Sequence, residues 1–291
     1  MYGAMIGDIA GSKYEFHNIK TKQFPLFSAG CDFTDDTIMT VAVAQALMAC
    51  CPETQPNGAG WDGLSAQLVR SMQALGRRYP NPTGAYGGHF AMWLRADNPQ
   101  PYGSFGNGSA MRASPCGLIA VTLEEALTLA RISACVTHDH PEGIKGAEAA
   151  AAAVFLAKSG KSKADIREFI TERYYPLDFT LDEIRPGYSF DVTCQGSVPQ
   201  AIEAFLESVS FEDAIRNVIS IGGDCDTTGA ITGSIAWTYY AVQSGGPAAW
   251  KRGELPLDMA YLLMQAKKYL PAEFIDAAEA FHRVCVRRME T

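Results

Sequence analysis

The sequence predicts an all-α fold, and three observations support this class. Apolar residues recur at the three- and four-residue spacing of a helix in most long windows of the chain. Several of these windows open with Ser, Thr or Asp, or carry a proline in the first turn, as helix N-termini do. Runs in which apolar and polar residues alternate are scarce. We therefore expect an all-α protein in which residues 1–291 form one domain.

Apolar periodicity places helices along most of the chain. In the first half we expect them at residues 37–49, 64–76, 88–95, 123–136 and 144–158. In the second half we expect them at residues 163–174, 198–207, 211–219, 228–242, 256–269 and 271–286. The strand candidates are two short runs, residues 178–184 and 188–194. The Pro- and Gly-rich segments are expected to be loops, at residues 51–63, 79–88 and 98–108.

Two of the predicted helices contain mostly small side chains. Ala, Gly, Ser and Thr dominate residues 148–157 and 229–236. Small side chains allow the axes of packed helices to approach closely. We therefore expect these two helices at the centre of the bundle.

Composition and charge disfavour several classes of protein. The chain is 47% hydrophobic and only 19% charged, which indicates a large core rather than disorder. It has 24 Lys and Arg against 32 Asp and Glu, for a net charge of −8. A nucleic-acid partner is therefore not expected, because no basic stripe is present to hold a phosphate backbone.

Cysteine usage and apolar runs bear on the location of the protein. The eight cysteines are scattered without a C-x-x-C pair, and Asp8 lies where a secretory signal would have an apolar run. The longest apolar stretches, residues 41–51 and 149–157, are shorter than the roughly 20 residues of a membrane span. We expect reduced thiols, no membrane insertion and a cytoplasmic protein.

Two acidic clusters each lead into an apolar helix. They are residues 32–37, which contain Thr34, Asp35 and Asp36, and residues 222–228, which contain Asp224, Asp226 and Thr227. One interpretation is helix capping, because Asp and Thr are preferred at N-caps and acids complement the helix dipole. Capping needs only one side chain, however, whereas each cluster supplies two carboxylates and a hydroxyl.

If the two clusters meet, four carboxylates share a small volume. Like charges raise one another's pKa, and bound cations relieve that repulsion. Carboxylate and hydroxyl oxygens favour hard ions, so we expect Mg²⁺ first and Mn²⁺ second, as two ions about 4 Å apart. Zinc is the weaker alternative, and Cys225 is interpreted as a small packing residue.

Two further segments carry candidate binding chemistry. Residues 103–112 combine bare backbone amides, small hydroxyls and one cation, a composition that can hold a phosphate or can simply form a turn. Residues 137–143 bring His138 and His140 close to two acids. A zinc site is one interpretation, but the spacing matches no strong zinc signature, and a histidine is also favourable at a helix C-terminus.

Four stretches together resemble the ADP-ribosylglycohydrolases, a family that includes the dinitrogenase-reductase-activating glycohydrolases. These stretches are residues 7–15, 33–37, 103–112 and 223–227, and their order and spread cover most of the chain. The resemblance implies an orthogonal all-α bundle with two Mg²⁺ ions in a central cleft. It also implies hydrolysis of an N- or O-glycosidic bond at C1″ of ADP-ribose.

The resemblance also implies roles for individual residues. The metal ligands would be Thr34, Asp35, Asp36, Asp224, Asp226 and Thr227. Glu15 would be the mobile acid, either a general acid/base or a gate, and Asp35 and Asp36 would share in catalysis. The ADP-ribose path would be lined by Gly103, Ser104, Phe105, Asn107, Gly108, Met111 and His138.

The substrate stays open between several alternatives. We expect ADP-ribose on a modified protein side chain; the alternatives are a free metabolite such as an O-acyl-ADP-ribose, an ADP-ribosylated nucleic acid, or a member that binds ADP-ribose without turnover. Residues 82–88 occupy the region where arginine-directed members have an additional aspartate. Within them, the run from Tyr86 to Gly88 resembles a segment of members that act on serine-linked ADP-ribose, so arginine and serine both remain candidate leaving groups.

Overall fold

The computed structural model describes residues 1–51 and 61–290, and within them the chain forms helices and no strand. The first eight helices are α1 (Tyr2–Ser12), α2 (Asp35–Cys50), α3 (Leu64–Arg78), α4 (Gly88–Arg95), α5 (Gly108–Met111), α6 (Ser114–Ile119), α7 (Leu123–Cys135) and α8 (Pro141–Lys158). The others are α9 (Lys163–Arg173), α10 (Leu181–Ile184), α11 (Cys194–Leu206), α12 (Phe211–Ser220), α13 (Cys225–Lys251), α14 (Leu257–Ala266) and α15 (Ala272–Arg288). The all-α prediction is confirmed.

Each predicted helix is present, with ends that differ by up to a few turns. The largest difference is in α13, which begins at Cys225 and continues to Lys251 through non-helical backbone at Gly245 and Gly246. Helices α1, α5, α6 and α10 were not predicted. Of the predicted loop at 51–63, residues 52–60 lie outside the described residues.

Both strand predictions are wrong. Within 178–184 the chain forms α10, because Thr180 and Glu183 make a capping box: the Thr180 hydroxyl accepts from the Glu183 N–H at 3.3 Å, and the Glu183 carboxylate accepts from the Thr180 N–H at 2.7 Å. Within 188–194, Thr193 makes an isolated bridge with Gly106 of the glycine-rich segment, and Cys194 begins α11. There the Val192 carbonyl accepts from the Asn107 N–H at 2.8 Å. Alternating polarity alone does not make a strand when no partner strand is available.

Helices α1 and α13 form the closest packed pair. A Cβ added at Gly3 would lie 2.2 Å from the Gly233 carbonyl oxygen, and one added at Gly7 would lie 1.9 Å from that of Gly229. At Gly11 the added atom would lie 2.1 Å from the Cys225 carbonyl oxygen. The partner numbers fall as the α1 numbers rise, so the helices are antiparallel. The C-terminal end of α1 therefore lies at the N-terminal end of α13.

The two helices rich in small residues lie in the core, as predicted. The side chains of residues 146–154 in α8 are buried, and so are those of residues 225–238 in α13. The buried apolar side chains form one cluster that draws on residues from Met1 to Cys285. The single domain remains a prediction. Among the described residues, the helices are too short or too polar to cross a membrane.

Candidate active site

Side chains from two helices fix the start of α2. Thr34 is its N-cap residue, and its Oγ1 accepts a hydrogen bond from the Asp36 N–H at 3.2 Å. Asp8 of α1 accepts from the Thr34 N–H at 3.0 Å, the Thr34 hydroxyl at 2.8 Å and the Thr37 N–H at 3.1 Å. The first turn then carries Asp35 and Asp36, where the helix dipole favours negative charge.

A glycine turn leads into α13. Gly222 and Gly223 have φ values of 75° and 84°, a conformation that other residues adopt only with strain. At Gly223 an added Cβ would also lie 2.4 Å from the Tyr188 ring. The turn delivers Asp224 to the N-cap and Asp226 to the first turn of α13. The glycines are therefore required by both backbone conformation and space.

The two acidic clusters meet. The Thr227 hydroxyl donates to Asp36 Oδ2 at 3.2 Å, which joins the start of α13 to the start of α2. Glu15 reaches the same place from the loop after α1: one carboxylate oxygen each of Glu15, Asp224 and Asp226 lies within 4.8 Å of the other two. These three side chains are at most 8% exposed. Acids more than 200 positions apart in the chain therefore share one small volume.

Burial and mutual repulsion disfavour charge in this cluster. Burial, followed by the nearby Asp226 carboxylate, raises the pKa of Asp8 to about 7 and that of Glu15 to about 8. The same two causes raise well above the usual range the pKa values of Asp35, Asp36 and Asp224. No described Lys, Arg or His side chain forms an ion pair with any acid of the cluster. Among the described residues, the charge of Arg112 acts in the opposite direction on the pKa of Asp35, but burial and repulsion outweigh it.

The donor set fits a hard divalent cation. It consists of carboxylate and hydroxyl oxygens, which Mg²⁺ and Mn²⁺ prefer. Asp36 Oδ1 is buried and has no hydrogen-bond donor within reach, so it is an unused acceptor in the cluster. Buried acceptors of this kind are costly unless a partner satisfies them. The residues present can therefore hold a metal ion.

Asn18 ties the Glu15 loop to the turn before α13. Its Nδ2 donates to the carbonyl oxygens of Tyr14 at 2.7 Å, Glu15 at 2.9 Å and Gly223 at 2.9 Å. Its Oδ1 accepts from the Gly223 N–H at 2.7 Å. One amide side chain thus joins the backbone of Glu15 to the backbone that precedes Asp224.

The acidic cluster lies in a cavity of about 480 Å³. This volume falls within the range of small-molecule sites in proteins. The lining includes all five acids that the sequence singled out, Glu15, Asp35, Asp36, Asp224 and Asp226, together with Thr227. Aromatic side chains also contribute, among them Tyr86, Phe90 and Tyr102. Thr34 is fully buried behind Asp36 and is outside the lining.

Most of the predicted ligand-binding residues line the same cavity. They are Ser104, Asn107, Gly108, Met111 and His138. Asn107 Nδ2 donates to Asp224 Oδ2 at 2.8 Å, which connects the glycine-rich segment to the acids. Gly103 and Phe105 lie outside the lining; the Gly103 N–H donates to Asp139, and the Phe105 ring lies 5.2 Å from the His140 ring. Their role in binding stays a prediction.

The structure gives the histidine segment a different use from zinc binding. His140 is the N-cap of α8, and its Nδ1 accepts from the Glu142 N–H at 3.1 Å. Within the described ranges, the group of three or more close metal-binding side chains is Glu15, Asp224 and Asp226. The weaker zinc alternative at residues 137–143 therefore has no support from the geometry.

Sequence reasoning missed several residues of the site. Asp8, Asn18 and Arg112 were not singled out, although Asp8 and Arg112 lie within the stretches that carry the family resemblance. The signal for Asp8 was its place in a run with glycine at every fourth position, which marks a tightly packed helix. Asn18 gave no signal, because its role depends on a loop that meets residue 223 only in the fold.

Comparisons with known proteins agree with this geometry. The chain matches the family model described as ADP-ribosylglycohydrolase over residues 1–266. It is 26% identical over 327 residues to human ADP-ribosylhydrolase ARH3, covering 86% of each chain. It is 25% identical over 277 residues to the ADP-ribosylarginine hydrolase Tri1 of Pseudomonas putida (strain GB-1), covering 86% of this chain and 71% of that one.

A solved structure shares the fold. The structure of an ADP-ribosylglycohydrolase-related protein complex superposes with a TM-score of 0.64 at 21% identity, covering 99% of this chain and 94% of that one. At this level of identity the likeness concerns the fold alone. The predicted type of helical bundle is confirmed.

Proposed function

The chain belongs to the ADP-ribosylglycohydrolase family and is an ADP-ribosyl glycohydrolase, and from this premise we propose that it removes ADP-ribose from a modified protein side chain with two bound Mg²⁺ ions. The proposal places the reaction at the glycosidic bond at C1″ of ADP-ribose, in the cytoplasm. The observation that carries it is the meeting of Glu15 with the two acidic clusters in one cavity.

The metal ligands of this proposal are the acidic clusters at the starts of α2 and α13. They comprise Thr34, Asp35, Asp36, Asp224, Asp226 and Thr227. When bound there, Mg²⁺ or Mn²⁺ supplies positive charge to neutralise the carboxylates and to lower the pKa of water. The unused Asp36 Oδ1 and the absence of ion pairs to these acids, among the described residues, support this assignment.

Glu15 is the general acid/base of the proposed reaction. Its carboxylate takes a proton from the attacking water and returns one to the leaving group. Glu15 suits this role because it follows α1 on a loop, lines the cavity and lies beside Asp226. The carboxylates nearby stabilise the positive charge that develops at C1″ as the bond breaks.

The entrance of the cavity favours a protein substrate. Phe16, Phe190 and Val192 line the cavity while 65%, 46% and 51% exposed, and the two phenyl rings stack at 6.0 Å. An apolar rim suits a polypeptide next to the modified side chain. Arg112 is the one Lys or Arg side chain among the described lining residues, and it is fully buried, so the rim lacks the basic groove of a nucleic-acid site.

Release of free ADP-ribose from defined conjugates tests the proposal. The panel contains arginine-, serine- and nucleotide-linked ADP-ribose and an O-acyl-ADP-ribose, each assayed with Mg²⁺ and with EDTA. Mg²⁺-dependent release from a protein-type conjugate is the expected result, and the preferred conjugate identifies the leaving group. Release from the metabolite alone, or equal release in EDTA, contradicts the proposal.

Substitutions test the assigned residues. Asp35→Ala and Asp226→Ala are expected to abolish release, and Glu15→Ala to slow it while Mg²⁺ still binds. Asp258→Ala is the matched control, because Asp258 is an exposed acid in the first turn of α14. Activity equal to that of the control in all three variants would refute the site assignment.

A further inference from the structure

His138 presents an unused polar atom to the cavity. Its side chain lines the cavity and is only 5% exposed. Nε2 faces the glycine-rich segment: a Cβ added at Gly108 would lie 3.2 Å from Nε2, and one added at Gly106 would lie 3.5 Å from it. In the part of the chain that the structure describes, Nε2 has no hydrogen-bond partner. A ring nitrogen that faces a cavity without a partner is available to a ligand.

The other ring nitrogen is engaged by a hydroxyl. His138 Nδ1 lies 2.6 Å from Thr137 Oγ1, and Arg112 Nη2 donates to the same oxygen at 2.7 Å. Arg112 also donates to the Ser133 carbonyl oxygen at 3.2 Å. Because a guanidinium can only donate, Thr137 Oγ1 is an acceptor toward Arg112. Its own hydrogen is then free to point at Nδ1.

The direction of the Thr137–His138 hydrogen bond determines the tautomer of the His138 ring. If Thr137 donates to Nδ1, Nδ1 is an acceptor and the proton of the neutral imidazole is on Nε2. In the opposite tautomer Nδ1–H would donate to Thr137, and the hydroxyl hydrogen would have no acceptor among the described residues. Thr137 is fully buried, so that loss would not be repaired by solvent.

The surroundings also keep the ring neutral. Burial, followed by the charge of Arg112, holds the pKa of His138 well below its ordinary value. Arg112 itself is fully buried and forms no ion pair with any described carboxylate. Its charge polarises the Thr137 hydroxyl toward Nδ1.

We propose that Arg112 and Thr137 are positioning residues that hold His138 as its Nε2–H tautomer, so that Nε2–H donates a hydrogen bond to an oxygen of the ADP-ribose moiety. This inference rests on the proposed function for its ligand, but the tautomer is a property of the protein alone. A neutral donor suits a site proposed to bind divalent cations, because it recognises oxygen without adding positive charge. Gly106 and Gly108 leave the space through which the substrate oxygen approaches.

Nitrogen-15 NMR of the histidine rings reads the tautomer directly. In the wild-type protein the His138 signals, assigned by their loss in His138→Gln, should show a protonated Nε2 and a bare Nδ1. Arg112 is fully buried and its replacement threatens the fold, so Thr137 is the residue to vary. In Thr137→Val, which keeps the side-chain shape without the hydroxyl, we expect a mixture of tautomers. A proton on Nδ1 in the wild-type ring would overturn the proposal.

Binding of free ADP-ribose, measured by calorimetry, tests the consequence. Binding in Thr137→Val should fall in proportion to the remaining Nε2–H tautomer, about twofold for an equal mixture, and Thr137→Ser should restore it. In a double-mutant cycle, Thr137→Val should have no further effect once His138 is Ala. An additive effect in that cycle would show that Thr137 does not act through His138 and would overturn the proposal. A wild-type protein with the Nε2–H tautomer but no affinity for ADP-ribose would refute the proposed function. The roles of Arg112 and Thr137 in fixing the tautomer would still hold.

Discussion

Asp8→Asn tests how the fold orients the site. In the wild-type structure one Asp8 oxygen accepts two backbone N–H groups, from Thr34 and Thr37, and the other accepts the Thr34 hydroxyl at 2.8 Å. An asparagine that keeps its oxygen on the two N–H groups must turn its NH₂ toward Thr34. The Thr34 hydroxyl can then only accept from that side, and its hydrogen turns to Asp36 Oδ2, which is 3.3 Å away.

The magnitude follows from the three hydrogen bonds. Bonds to a charged acceptor contribute about 1.5–3 kcal/mol and neutral ones about 1 kcal/mol, so weakening two and rearranging the third costs about 2 kcal/mol. Relief of repulsion with Asp226 returns part of this. We expect Asp8→Asn to lower the free energy of unfolding by about 1–2 kcal/mol. Asp8→Ala leaves two buried N–H groups without an acceptor and should cost about 3 kcal/mol.

The same rearrangement should weaken cation binding. A Thr34 hydrogen on Asp36 Oδ2 draws electron density from the Asp36 carboxylate, a proposed metal ligand, so the Mg²⁺ concentration for half-maximal hydrolysis should rise about tenfold in Asp8→Asn, equivalent to about 1.4 kcal/mol. Urea unfolding and Mg²⁺ titration of ADP-ribose release measure the two effects. If Asp8→Asn matches the wild type in both, Asp8 does not hold Thr34 and the reasoning is refuted.

Three other predictions follow from the same contacts. Gly7→Ala inserts a Cβ 1.9 Å from the Gly229 carbonyl oxygen and should lower the free energy of unfolding by at least about 1–3 kcal/mol. Gly88→Ala is the control, because a Cβ there would meet nothing within 4 Å. Equal urea midpoints for the two variants would contradict the packing argument. Asn18→Ala frees the Glu15 loop and should lower kcat tenfold to about a hundredfold. Loss of its four partly buried hydrogen bonds should also lower the free energy of unfolding by about 1–2 kcal/mol, and an unchanged kcat would show that the Glu15 loop does not need Asn18. Mg²⁺ at a hundred times its Kd should raise the free energy of unfolding by about 2.7 kcal/mol for each occupied site, and identical melting curves in Mg²⁺ and EDTA would refute a folded-state metal site.

Apolar periodicity predicted the helices that have one apolar face. It failed for helices that are stabilised by close packing against another helix. α12 shows this success: it is amphipathic and is capped by Ser210, whose hydroxyl accepts from the Asp213 N–H at 3.1 Å. α1 shows the failure, because glycine at every fourth position lowers helix propensity. The same glycines allow the contact with α13 that makes α1 helical. That contact involves residues more than 200 positions away, which local periodicity does not report.

The candidate site divides in a similar way. The acids at the starts of α2 and α13 were visible in sequence because two carboxylates and a hydroxyl exceed what capping needs. Their partners were not visible, since Asp8, Asn18 and Arg112 act through bonds that form only in the fold. Sequence therefore identified the groups expected to contact the metal and substrate, and the structure was needed to find the groups that orient them.

One helix of low intrinsic stability connects these parts. Each interior glycine of α1 costs about 0.5–1 kcal/mol relative to alanine, yet the antiparallel register with α13 sets Gly11 against Cys225, immediately before Asp226. Glu15 follows four residues later and so reaches the start of α13, while Asp8 on the same helix caps α2. Displacing α1 by a fraction of an ångström moves a general acid/base candidate and a capping acid together. Substitutions at its glycines should therefore reduce activity by more than their effect on stability explains.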